Sequence, residues 1–94
     1  MSYVMTRFKV ADYARWKQVF EAGGALRQSY GSKGGRLFRN ASDPNELILL
    51  TQWDNLEKAR QFAQSEELKA DIQKAGHLGQ PDVFYLEEGE SFSR

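Results

Sequence analysis

ELILLTQW, residues 46–53, is the most apolar strand-like stretch of the chain. Successive side chains of an extended strand point to opposite faces of a sheet. One face of this strand therefore carries Leu47 and Leu49, and the other carries Ile48 and Leu50. Because a half-buried strand normally has one apolar and one polar face, this stretch predicts a strand that is covered on both sides.

The flanking segments predict the order strand, helix, strand, strand, helix, strand. Alternating apolar and polar residues favour strands, and apolar residues three or four apart favour helices. The predicted strands are residues 3–10, 36–41, 46–53 and 82–88, and the predicted helical segments are residues 12–30 and 54–76. Residues 12–30 are predicted to form one helix, in which Gly23 and Gly24 could produce a kink or a narrowing, and a close backbone contact would explain the glycines.

Turn and capping residues separate these segments. GSKGG (residues 31–35) and SDPN (residues 42–45) are typical of turns, and a loop with Gly79 and Pro81 is expected before the last strand. The predicted helix N-caps are Asp12, Asp54 (with Glu57 three residues later) and Ser65, and the predicted helix stops are Gly31 and Gly76.

This order predicts an α+β, ferredoxin-like βαββαβ domain. It has an antiparallel four-stranded sheet, two helices on one face, and the first and third strands in the centre. Residues 1–88 are expected to form this single domain, and residues 89–94 a polar C-terminal tail.

Composition excludes several classes of function. The 94 residues carry 13 basic and 13 acidic side chains, so no excess of positive charge favours nucleic acid or an anionic membrane. There is no cysteine and only one histidine, which makes a metal site built from protein ligands improbable. Neither a signal peptide nor a membrane span is evident, so we expect a cytoplasmic protein.

The strand pattern also predicts a homodimer. Tyr3 and Met5 lie opposite Val4 and Phe8 on the first strand, so both central strands have two apolar sides. Both helices cover one face only, and the remaining residues are too few to cover the other. The exposed apolar area of such a face would exceed the few hundred Å² that monomeric proteins usually expose in one patch. Two protomers are therefore expected to pack sheet against sheet.

Most of the chain resembles the dimeric α/β-barrel superfamily, and within it the small antibiotic-biosynthesis-monooxygenase-like (ABM-like) domains. The stretches that carry the resemblance are DYARWKQVF (12–20), RLFR (36–39), DPNELILLTQWDNLEKARQF (43–62) and ELKADIQKAGHLGQPDVFYLE (67–87). The resemblance implies a dimeric barrel and a cofactor-independent monooxygenase-like enzyme that acts on an aromatic or polyketide-like substrate. Trp53 matches the Trp that ends the third strand in such proteins.

One position departs from the pattern of these proteins. They commonly have a His-x-x-Ser motif in the second helix, and here Ser65 is present but Phe62 replaces the His. The alternative is therefore a non-catalytic ligand-binding or interaction module of the same fold.

Several residues are candidates for a small-molecule site. His77 is the candidate general acid or base, although a His after a helix also complements the helix dipole. Arg7, on a central strand, could hold an anion; alternatively, it could be solvated or form a cross-strand salt bridge with Glu46 or Glu87. Arg27, Arg36 and Arg39 are likewise either anion holders or solvated or salt-bridged side chains. The candidate pocket aromatics, for which a core role is the alternative, are Trp16, Phe20, Trp53, Phe62 and Tyr85.

Overall fold

The computed structural model describes residues 1–94 and has four strands and four helices. In chain order they are β1 (Ser2–Val10), α1 (Tyr13–Ala22), α2 (Gly24–Tyr30), β2 (Ser32–Asn40), β3 (Asp43–Trp53), α3 (Leu56–Ala63), α4 (Glu66–Ala75) and β4 (His77–Glu87). The strands form one antiparallel sheet in the order β2-β3-β1-β4. The ferredoxin-like α+β prediction is confirmed, with β1 and β3 in the centre.

Each predicted helical segment consists of two helices. In the first, Asp12 caps α1 as expected, accepting a hydrogen bond from the Ala14 amide at 2.9 Å. The chain then breaks at Gly23, whose amide donates to the carbonyl groups of Val19 and Phe20, and α2 starts at the next residue. The prediction of one helix over residues 12–30 is therefore wrong, because α1 ends at Ala22 and α2 starts at Gly24.

The second helical segment breaks at its predicted internal cap. Ser65 caps α4, because its hydroxyl accepts a hydrogen bond from the Leu68 amide at 3.2 Å. The cap at the start of α3 is one residue later than predicted. Asn55, rather than Asp54, accepts from the Lys58 amide at 3.0 Å, which leaves the Asp54 carboxylate to pair with two lysines.

The strands β2, β3 and β4 are longer than predicted. Residues 32–35, expected to be a turn, are the start of β2, where Gly34 has φ of +97° and the register with β3 shifts. The turn predicted at residues 42–45 is shorter and lies at residues 41–42, since β3 begins at Asp43. The Asn40 side chain closes this turn by accepting from the Ser42 amide at 2.8 Å.

The loop predicted around Gly79 and Pro81 is also part of a strand. Strand β4 begins at His77, and an irregularity in its pairing with β1 accommodates residues 79–81. His77 therefore sits at the start of a strand rather than in a loop.

Two apolar clusters lie between the sheet and the helices. The larger cluster contains Phe8, Trp16 and Leu47, and Leu47 is fully buried. The smaller cluster contains Val4, Trp53 and Ala59. No helix of the structure is both long and apolar enough to cross a membrane.

The opposite side of the sheet has no helix against it. We call it the open sheet face; from the strand register its apolar residues are Tyr3, Met5, Phe38, Ile48, Leu50, Leu78, Phe84 and Leu86. Phe38 is 45% exposed and Phe84 48% exposed, although both are large hydrophobic side chains. The core thus fills only one side of the sheet.

Candidate functional site

A cavity of about 240 Å³ lies between the sheet and the helices, where the two apolar clusters meet. Fifteen of its 22 lining residues are hydrophobic, which is typical of small-ligand sites. It is smaller than the roughly 300–1,000 Å³ of sites for drug-sized molecules, so it suits a compact ligand. The predicted site residues that line it are Trp16, Phe20, Trp53, Phe62, His77 and Tyr85.

Arg7 lies outside this cavity. It belongs to the open sheet face, and its guanidinium group pairs with Asp82 of β4 at 2.6 Å. The partner is thus neither Glu46 nor Glu87, because the β1–β4 register places Asp82 directly opposite Arg7. Both side chains are about half exposed, so Arg7 takes no part in the cavity wall.

Trp53 closes one end of the cavity from the last position of β3. It is 2% exposed, and its indole Nε1 donates to the hydroxyl of Thr51 at 2.8 Å. That hydroxyl in turn donates to the Val4 carbonyl at 3.4 Å. The first bond satisfies the only polar atom of the indole, and the second joins Thr51 to the backbone of β1.

Phe62 packs where the resemblance places a His. Its ring centroid is 5.6 Å from that of Trp53 and 5.4 Å from that of Tyr30. The Ser65 hydroxyl donates to the Phe62 carbonyl at 2.7 Å while it caps α4. Phe62 and Ser65 therefore have structural roles here. The Phe62 ring forms part of the cavity wall, and Ser65 caps α4.

His77 brings the only imidazole of the chain to the cavity. Its ring stacks on Phe8 with centroids 4.5 Å apart and planes 5° apart. Burial lowers the pKa of His77 below its ordinary value of 6.5. Nδ1 is buried without a hydrogen-bond partner, and a buried donor without an acceptor is costly. The ring is therefore best accommodated neutral, with its proton on Nε2.

Arg27 and Asp71 supply the only charged side chains of the cavity wall. Arg27 was one of four arginines considered from the sequence, and Asp71 was not considered. The glycine pair was the feature of the sequence that could have indicated this position, because Gly23 lies beside both the Arg27 and the Asp71 side chains. A Cβ at Gly23 would lie 3.2 Å from Arg27 Nη1 and 3.3 Å from Asp71 Oδ2, so the close contact is with side chains and not with the backbone as predicted.

The cavity can bind an apolar ring system and offer it a few polar contacts. His77 Nε2 can donate a hydrogen bond, and the Arg27 guanidinium group can neutralise an anionic oxygen. No group of three or more His, Asp or Glu side chains is arranged to hold a metal ion.

The family model of the antibiotic biosynthesis monooxygenases matches residues 1–74, and the chain belongs to this family. Comparison with curated protein sequences gives no match.

Solved structures show the same fold. A Bordetella bronchiseptica protein named for this family aligns with a TM-score of 0.81 at 16% identity, covering 95% of this chain and 97% of its own. SnoaB of Streptomyces nogalater, a cofactor-independent oxygenase, aligns as its N63A mutant with a TM-score of 0.77 at 14% identity, covering 99% of this chain and 97% of its own. Rv0793 of Mycobacterium tuberculosis aligns with a TM-score of 0.73 at 14% identity, covering 98% of each chain.

Proposed function

We propose that this protein is a cofactor-independent monooxygenase-like enzyme whose substrate is a small aromatic or polyketide-like molecule. The observation that carries the proposal is the apolar cavity with the imidazole of His77 in its wall. Membership of the family and the fold shared with SnoaB support it. The proposal goes beyond the shared fold, which by itself does not define a reaction.

The chemistry requires a substrate that supplies the electrons itself. When a methylene group between aromatic rings becomes a ketone, one atom of O₂ enters the product and the other leaves as water, so no external reductant is needed. Such a substrate reacts most readily as an anion with a negative oxygen, and it would release its proton to bulk solvent before it enters the cavity. His77 Nε2–H would stabilise that oxygen by hydrogen bonding, and the apolar wall would keep bulk water away.

The proposed active form is a homodimer. Four strands of 9–11 residues give the open sheet face an area of roughly 600 Å² per protomer. Two such faces bury roughly 1,200 Å² in total, the lower end of specific interfaces. Arg7 and Asp82 on this face carry opposite charges, which suits contact with a second copy of the same surface. The two sheets would then enclose a dimeric α/β barrel with the helices outside.

The second candidate is a binding module of the same fold without catalysis. Phe62 favours it, because an apolar ring occupies the position at which the resemblance places a His. His77 and Arg27 favour the enzyme, because a purely structural core does not need an imidazole and a guanidinium group at the same cavity.

A thermal-shift panel of quinols and polyaromatic acids, followed by oxygen-electrode measurements on each compound that binds, tests the proposal. A ligand at ten times its Kd adds about 1.4 kcal/mol to the free energy of unfolding, which raises Tm by roughly 5–10 °C in a domain of this size. We expect at least one such compound to bind and to consume one O₂ per molecule in the presence of a metal chelator.

The variant His77→Phe keeps a ring against Phe8 and serves as the matched control. It should still bind the compound but consume oxygen more slowly. Binding without oxygen consumption by the unaltered protein would support the binding module, and a panel without any binder would contradict both functions.

A further inference from the structure

The Arg27 guanidinium group is held at the cavity wall by two contacts with one residue. Its central carbon lies 3.7 Å from the centroid of the Phe20 ring, within the range of a cation–π interaction. Its Nη1 donates to the Phe20 carbonyl at 2.8 Å. These contacts fix the plane of the group, and they leave Nε and Nη2 without a hydrogen-bond acceptor in the chain.

Arg27 also lacks a salt-bridge partner, although it is half-buried. Each of the seven ion pairs of the structure involves other residues. Asp71 lines the same cavity, but it forms no ion pair with Arg27. Burial lowers the pKa of Arg27, and the nearby Asp71 carboxylate only partly offsets this. A partly desolvated cation with free donors gains from an anionic partner.

The break between α1 and α2 makes room for this group. A side chain at Gly23 would meet both Arg27 and Asp71, and a Cβ at Gly24 would lie 3.6 Å from Arg27 Nη2. The absence of a side chain at Gly23 therefore leaves space for the guanidinium group, whereas a Cβ at Gly24 would make only an ordinary van der Waals contact.

We propose that Arg27 binds a single anionic oxygen, a carboxylate or a phenolate, of a ligand whose apolar rings fill the cavity. Nε and Nη2 donate to that oxygen, and the aromatic wall contacts the rings. The inference rests on the proposed function in one respect, since it assigns the substrate class of the same cavity.

A polar surface concavity between α2, β2 and α3 offers the other place where an anion could meet Arg27. Arg27 borders this concavity as well, together with Lys33 and Lys58. Only one of its 12 lining residues is hydrophobic, so it offers no contact for an aromatic ring system. An aromatic anion is therefore expected in the cavity, and Lys58 provides the means to distinguish the two places.

Isothermal titration calorimetry with 2-naphthoate and its neutral counterpart 2-naphthamide tests the inference. The two probes share their rings and differ in one charge. We expect naphthoate to bind about tenfold more tightly, the lower end of what a charge-assisted hydrogen bond contributes. Arg27→Gln should abolish this preference by lowering the naphthoate affinity much more than the naphthamide affinity, and far-UV circular dichroism checks that the variant is folded. Arg27→Lys should retain part of the preference.

Lys58→Gln is the matched control, because it removes the same charge from the polar concavity. It should leave the preference intact. Asp71→Asn, which does not alter Arg27, should strengthen naphthoate binding because a negative charge leaves the cavity wall.

Equal binding of the two probes by the unaltered protein overturns the inference and leaves the proposed function standing. A preference that survives Arg27→Gln or disappears in Lys58→Gln also overturns it. If neither probe binds, the inference falls, and a panel of quinols and polyaromatic acids without a binder removes the proposed function as well.

Discussion

His77 shows at the scale of a single residue how packing decides chemistry. An exposed imidazole is about half protonated near pH 6.5. In this protein, Phe8 covers one face of the His77 ring, and Nδ1 is buried without a hydrogen-bond partner. The neutral form of the imidazole is therefore favoured. The same ring could act as a general base in water, but in this cavity Nε2 is left as a hydrogen-bond donor.

The lowered pKa of His77 predicts a stability that falls in acid. The unfolded chain binds a proton near pH 6.5 and the folded chain binds it only at lower pH. Between those two pH values the unfolded state holds more protons, so the free energy of unfolding decreases as pH falls. One proton contributes a slope of at most about 1.4 kcal/mol per pH unit.

Urea denaturation at a series of pH values below 7 measures this slope. His77→Phe keeps the stacked ring but removes the titrating group, so its curve should lack that component. Since the chain has one histidine, the difference between the two curves isolates this group. Parallel curves would contradict the assignment of a buried, neutral imidazole.

At the scale of elements, the pairing of β2 with β3 depends on a glycine. A Cβ at Gly35 would lie 2.0 Å from the Leu50 carbonyl oxygen, a backbone atom of the central strand. At Gly34 a Cβ would meet nothing within 4 Å, but φ is +97°. The two adjacent glycines therefore serve different purposes, since Gly35 permits a close approach of backbones and Gly34 permits the positive φ where the register of β2 with β3 shifts.

We expect Gly35→Ala to be much more destabilising than Gly34→Ala. The first forces β2 away from β3, at a cost of about 3 kcal/mol, the upper part of the range for overpacking. The second places a side chain at positive φ without a clash, at a cost of about 1 kcal/mol. Denaturant unfolding of the two variants gives both values, and similar losses would show that β2 can shift freely on β3.

At the scale of the whole molecule, the sheet has a core on one side only. The open sheet face presents large apolar side chains on all four strands, and Phe84 is 48% exposed within one protomer. Its neighbour Val83 is 43% exposed but points to the helix side, where it lines the cavity. These two residues have similar exposure and opposite directions, which makes them a matched pair.

Phe84→Asp should therefore convert the proposed dimer into a monomer, whereas Val83→Asp should not. A carboxylate at position 84 would be buried unpaired between two sheets, which is strongly unfavourable. Analytical ultracentrifugation at micromolar concentration measures the mass of each variant. A monomeric unaltered protein, or a dimer that tolerates Phe84→Asp, would contradict packing through the open sheet face.

The sequence by itself determined the order of strands and helical segments, the central position of β1 and β3, and the caps at Asp12 and Ser65. These features follow from local patterns, because side-chain alternation, helical spacing and capping act between residues a few positions apart. The aromatic side chains expected in a pocket also follow such spacing. Only the tertiary structure placed Arg7 against Asp82, since strand register joins residues 75 positions apart.

Only the tertiary structure also brought Arg27, Asp71 and His77 to one cavity. They come from α2, α4 and β4, whose relative placement depends on how the helices pack on the sheet. Local sequence patterns also did not predict the full length of β2 and β4. Glycine and proline favour turns, but here irregular pairing with a neighbouring strand accommodates them within the strands. The composition of the cavity wall therefore depends on packing between residues far apart in the chain, which a short stretch of sequence does not show.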